Sequence, residues 1–191
     1  MKKTFLMLMT AALLTASSGR VFAQDHEPMQ YIETVAAPEP GKAVLFSRAA
    51  DWIDKRFAFG PKSDAVNDAS TGTLRITGTA KMRPVTPAGK VEERAVRFDF
   101  TFHCTDDGYD YRVDNFRYIS DPANPTELVL LEDYLTQLSQ LKATERTHND
   151  RRLRAQAMSL ASEVAMAFRS YMNSLPVTDD SLVGLPAQDS N

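Results

Sequence analysis

Between residues 43 and 120 the hydrophobic period of the chain switches from that of a helix to that of strands. From Ala43 onward, apolar residues recur at Leu45, Phe46, Ala49, Ala50, Trp52, Ile53 and Phe57, with Arg48, Asp51, Asp54 and Lys55 between them. That spacing is the broad stripe of an amphipathic helix, and Gly60-Pro61 terminates it. Residues 62–71 are polar and read as a loop. Leu74, Ile76, Gly78, Ala80 and Met82 then alternate with Thr73, Arg75, Thr77, Thr79, Lys81 and Arg83. A period of two sends each set to its own face of a strand. Val96, Phe98, Phe100, Phe102 and Cys104 repeat the pattern against Arg97, Asp99, Thr101 and His103.

Asp107-Gly108 signals a two-residue hairpin turn, which needs positive φ at both central positions. Such a turn sets Cys104 opposite Tyr111 and Phe102 opposite Val113. Near Asn115 the phase changes, Phe116 and Tyr118 taking over from Tyr109, Tyr111 and Val113, which predicts a bulge. The small Gly78 and Ala80 leave room on the apolar face for a bulky helical side chain such as Trp52.

Outside this block, residues 29–35 alternate as a short first strand, and Pro38-Glu39-Pro40-Gly41 enforces a turn before the helix. Beyond the Asp121 to Pro125 break, Thr126 is placed to cap a helix carrying leucines 128, 131, 135 and 138. Leu153, Ala157, Leu160, Ala161, Val164, Phe168 and Met172 form another helical stripe, and residues 144–149 leave open whether these are two helices or one kinked one. The order is strand, helix, at least three antiparallel strands, then C-terminal helix. This is an α+β layer fold: an antiparallel sheet covered on one face by an amphipathic helix. The division expected is a domain over 24–125, a helical segment over 126–175 packing on it, and a disordered polar tail over 176–191.

The first residues carry a different signal. Lys2 and Lys3 precede the uncharged apolar run 5–14, and Val21 and Ala23 occupy small-residue positions before Gln24. This reads as a secretory signal peptide over 1–23, cleaved near Ala23. The run is about half of the roughly 20 residues that span a bilayer, and no later one is long enough. The expectation is an exported protein, periplasmic or extracellular. Loss of Lys2, Lys3 and Arg20 takes the formal charge from -3 to -6, which disfavours nucleic acid as a partner. Cys104 is the single cysteine, so the fold rests on its core and not on an internal disulfide.

Three segments together, LFSRAADWIDKRF in the helix, TGTLRITGTA in the next strand and FDFTFHCTDDGYDYRVDNFRY in the last hairpin, resemble the exported bacterial proteins of the domain of unknown function 4468 family. The resemblance covers about residues 33–120. It implies a TBP-like fold and an exported, periplasmic protein of Gram-negative bacteria of the gut and mouth. The family supplies no activity, so no functional residue carries over. The Leu- and Ala-rich helices after Asn124 depart from its core pattern.

The residues themselves offer little catalytic chemistry. Consecutive strand positions point to opposite faces, so His103 is expected in solvent and Cys104 in the core, where a thiol is inert. Asp106-Asp107-Gly108-Tyr109-Asp110 lacks the ligand spacing of a calcium loop. His26, His103 and His148 form no i, i+4 pair, and no nucleophile elbow surrounds a serine. No metal, cofactor or catalytic residue is therefore assigned. Lys142, Arg146, Arg151, Arg152 and Arg154 make a basic helix surface, and helix-mediated self-association is the alternative to a solvated one. Asp180-Ser181-Leu182 resembles a short O-glycosylation pattern of exported proteins.

The polar sheet face is the candidate site. Arg75, Lys81, Arg83 and Arg97, with His103 and Arg112 beyond them, point away from the covering helix. They suit a small anionic ligand or an envelope protein. A solvated face with cross-strand pairs, such as Thr101 beside Asp114 and His103 beside Arg112, is the plainer reading. A hydrolase-like accessory enzyme, built around Asp99, His103, Arg112 and Asp114, is the alternative.

Overall fold

The switch of period becomes a switch of layer in the computed structural model, which describes residues 28–174. Strand β1 (Tyr31–Ala36) precedes helix α1 (Gly41–Lys55), followed by β2 (Ser63–Asp68), β3 (Thr73–Met82), β4 (Arg94–Cys104) and β5 (Gly108–Ile119). A short β6 (Leu128–Leu130) leads into α2 (Leu131–Ser139), α3 (Thr144–Thr147) and α4 (Asn149–Asn173). The antiparallel sheet runs β1-β5-β4-β3-β2, with β6 also paired to β5. The expected signal peptide, His26, the expected tail over 176–191 and Asp180-Ser181-Leu182 lie outside the described residues.

Helices α1 and α4 cover the apolar sheet face together. Trp52 of α1 lies 4.9 Å from Phe100 and 5.0 Å from Phe168 of α4, measured between ring centroids. Phe168 in turn meets Tyr111 at 4.8 Å and Phe102 at 5.6 Å. The stripe on α4 is therefore core, as are Leu131 and Leu135 of α2. Tyr134 of α2 stacks on Tyr118 of β5 at 4.0 Å.

The polar side of α1 is also engaged. Arg48 donates to the carbonyl of Tyr171 at 3.0 Å and to that of Ser174, neutralising the negative end of α4, and Tyr171 donates to Asp51. Between β1 and α4, Glu33 accepts from the hydroxyls of Tyr111 at 2.5 Å and Tyr31 at 2.9 Å, and pairs with Arg169 at 2.6 Å.

Several sequence expectations are corrected. Residues 62–71 contain an edge strand, β2, whose outer position and irregular register between Ser63 and Val66 require no apolar alternation. Residues 128–130 are strand and not helix: Leu128 pairs with Ile119, while Thr126 donates to Asn124 and does not cap α2. The C-terminal segment holds three helices, α3 and α4 separated by His148 at φ 50°. Phe57, and not Trp52, fills the space beside Gly78, where a Cβ would meet its Cζ at 2.8 Å.

The hairpin is shifted by two residues. Cys104 faces Tyr109, and Phe102 faces Tyr111. The turn falls on Asp106-Asp107 because Gly108 is already in β5, packed so tightly under β1 that a Cβ would lie 2.2 Å from the Val35 carbonyl oxygen. A shift of two preserves the faces, so the predicted core survives. The bulge is present: the register slips between Arg97 and Asp99, and Asn115 takes φ 52°.

Candidate functional site

The face of the sheet away from the helices is built in rows by the strand register. Crossing β3, β4 and β5, the rows are Thr73, His103 and Asp110; then Arg75, Thr101 and Arg112; then Thr77, Asp99 and Asp114; then Thr79, Arg97 and Arg117. A pair of carboxylates therefore lies between two rows that carry arginines.

Asp99 is the anchor of the face and is almost fully buried. Its Oδ1 accepts from Thr77 at 2.7 Å and pairs with Arg117 at 2.5 Å, and its Oδ2 accepts from Asn115 at 2.6 Å. The bulge makes this possible, because the extra residue brings both Asn115 and Arg117 to the carboxylate. Asp114 stands across the strand pair from Asp99. Burial pushes its carboxyl above the usual range, against the opposing pull of Arg112.

The six basic candidates separate into paired and unpaired groups. Lys81 and Arg83 share Glu93, at 2.7 and 3.5 Å. His103 lies 3.2 Å from Asp110, and Arg112 lies 3.7 Å from Asp114. Arg75 and Arg97 make no side-chain hydrogen bond or ion pair among the described residues. The pairings predicted for Thr101 and His103 are overturned: Thr101 faces Arg112, and His103 faces Asp110, both following from the two-residue shift. Of the alternative catalytic set, Asp99 and Asp114 face each other across the strand pair and Arg112 lies against Asp114, while Asp99 is also engaged by Arg117 and His103 by Asp110.

Arg117 belongs to the same face, opposite Arg97, although it is not among the six basic candidates. The change of phase at Asn115 carries the necessary signal, since Phe116 and Tyr118 inward put Arg117 outward. Cys104 is buried beneath this face, and desolvation raises its thiol pKa. Among the described residues, no three His, Cys, Asp or Glu side chains gather to hold a metal. None of the described helices is long and apolar enough to cross a membrane.

A groove of about 410 Å³ opens at the Arg97 end of the face. Its floor includes Thr79, Ala95, Arg97 and Ile119, and Pro61 stands opposite Pro122 and Pro125. Asp99, His103, Arg112 and Asp114 lie outside it.

This architecture has known counterparts. Residues 31–119, from the start of β1 to the end of β5, match the family described as "Domain of unknown function (DUF4468) with TBP-like fold". The segment is a DUF4468 domain. A crystal structure of a DUF4468 family protein from Bacteroides ovatus is similar at TM-score 0.51 and 18% identity, over 78% of this chain and 88% of that one. A TBP-like protein from Parabacteroides distasonis is similar at TM-score 0.54 and 14% identity, over 76% of this chain and 94% of that one. At such identities the likeness concerns fold alone. It extends beyond residues 31–119, so the helices after the DUF4468 strands belong to the shared architecture. No curated protein matches the chain.

Proposed function

We propose that this DUF4468 protein is a non-enzymatic, exported binding module of the periplasm whose open sheet face receives an anionic group. The observation that carries the reading is the charge distribution on that face. Its acids are engaged by neighbours in the fold, whereas Arg75 and Arg97 are displayed without an acid partner on rigid strands. Their backbone is fixed by the sheet and neither guanidinium has to leave an acid partner to meet an anion, which favours recognition. Export is supported by the leader pattern at residues 1–23.

A photo-crosslinking amino acid placed at Thr101 on this face, and separately at Met166 on the exposed side of α4, tests the proposal in cells making the full chain. Adducts are expected from position 101, and they should disappear in an Arg75→Ala, Arg97→Ala background. Adducts confined to position 166, or indifferent to the two arginines, would remove the open face from consideration.

A further inference from the structure

We propose that the groove beside Arg97 binds a small amphipathic carboxylate, an apolar chain or ring bearing one acid group. This rests on the reading of the open face as an anion-receiving surface and names the ligand class. Three properties of the groove carry it.

The first is charge. The neighbouring cations are occupied: Lys81 and Arg83 by Glu93, Arg94 by Glu92 at 2.7 Å, and Arg117 by Asp99. Arg97 is half-buried and has no acid partner among the described residues. It sits directly across the strand pair from Arg117, so no cross-strand acid compensates it. A single planar guanidinium matches one carboxylate through two parallel hydrogen bonds. A polyanion would call for a cluster of free cations instead.

The second property is an apolar lining. Pro61, Ala95, Ile119, Pro122 and Pro125 are half of the lining residues, and Glu93, the one acid among them, is held by Lys81; the volume of about 410 Å³ falls in the range of small-molecule sites, about 300–1,000 Å³. An inorganic anion would leave that surface wet. The proline walls also lack the N–H groups with which a peptide strand would pair, so the site favours a small molecule over an added strand.

The third is preorganisation. Thr79 donates to the Pro61 carbonyl at 3.0 Å, fixing one wall to the sheet. The other is folded on Asp121, whose side chain accepts from the Ala123 N–H at 2.8 Å while its carbonyl accepts from the Asn124 N–H at 3.0 Å. The cleft exists before a ligand arrives.

Titration calorimetry of the full chain with decanoate and with 4-phenylbutyrate tests this, with acetate as charge without an apolar body and decanol as the body without charge. At least one of the two longer acids should bind saturably at one site, and acetate should not at the same concentrations. Arg97→Ala should weaken binding roughly ten- to hundred-fold, the scale of a lost hydrogen bond to a charged group. Ala95→Phe should abolish it by filling the groove while the chain stays folded by circular dichroism. Arg146→Ala on α3, an equal loss of charge elsewhere, should bind as the parent does.

Absence of saturable binding by both longer acids overturns the inference, as does equal binding by Arg97→Ala or decanol binding as tightly as decanoate. If the acids fail while arginine-dependent crosslinks at position 101 persist, the ligand class falls and the open-face reading stands. If both fail, the reading falls as well.

Discussion

Asp99 shows how one side chain can fix a surface. Its carboxylate gathers a threonine from β3 and an asparagine and an arginine from β5, so three strands are tied on the side that lacks helices. Asp99→Ala strands Arg117 beside buried polar groups. The expected loss is about 3 kcal/mol, the lower end for breaking a buried pair, because Arg117 retains some contact with solvent. A urea unfolding series measures it, and a loss under about 0.5 kcal/mol would place the pair among exposed ones.

Asp114 behaves in the opposite sense. Its folded pKa is raised, with burial as the main cause, so the folded state binds its proton more tightly than the unfolded state does. Stability is then lost as pH rises from the ordinary carboxylate range through the raised value. Asp114→Asn should be more stable than the parent at pH 7, and the difference should shrink below about pH 4. Paired urea midpoints at the two pH values check the sign. Glu33, whose carboxyl is held low mainly by the Tyr111 hydroxyl, contributes the reverse slope in both proteins and cancels in the comparison. Arg97→Ala, which removes a like charge facing Arg117, should leave stability unchanged or raise it by about 0.5 kcal/mol. A thermal melt would detect the contrary.

Among the elements, strands and helices with one buried face are legible in the sequence, and those outside the core are not. β3, β4, α1 and α4 each declare themselves through a stripe because burial selects for it. β2 does not, since an edge strand with exposed Asp64 and Val66 has no core face to mark. β6 is hidden because Leu128 and Leu131 fit a helical spacing equally well, and pairing with β5 decides between them. The hairpin register was ambiguous because Asp107-Gly108 is a sound turn signal, but the glycine is required by β1 instead. Within the site, the basic residues and their face are readable, yet which of them remain unpaired depends on Glu93, Asp110 and the bulge. Gly108→Ala should therefore undock β1. The overlap with the Val35 carbonyl outweighs the roughly 0.5–1 kcal/mol that replacing a strand glycine by alanine ordinarily gains. Hydrogen exchange of the β1 amides should speed up, with β3 and β4 changed far less.

In the whole molecule, one core runs across residue 125. Phe168 contacts Trp52, Phe100, Phe102, Tyr109 and Tyr111. Phe168→Ala should cost about 3–5 kcal/mol, measured by urea unfolding. A fragment ending at residue 125 should lack the dispersed amide spectrum of a folded protein. A well-dispersed monomer from that fragment would make the helices an accessory instead of half the cover.

Placing the central ring of the core on the last long helix also sets an order of events during synthesis. A ribosome delivers Trp52, Phe100 and Tyr111 well before Phe168, so the growing chain carries an aromatic sheet surface that α1 alone can cover. Completion is deferred until α4 emerges. Until then Phe168 is missing from the aromatic face, and among the described elements the one that completes the cover is the last to be made.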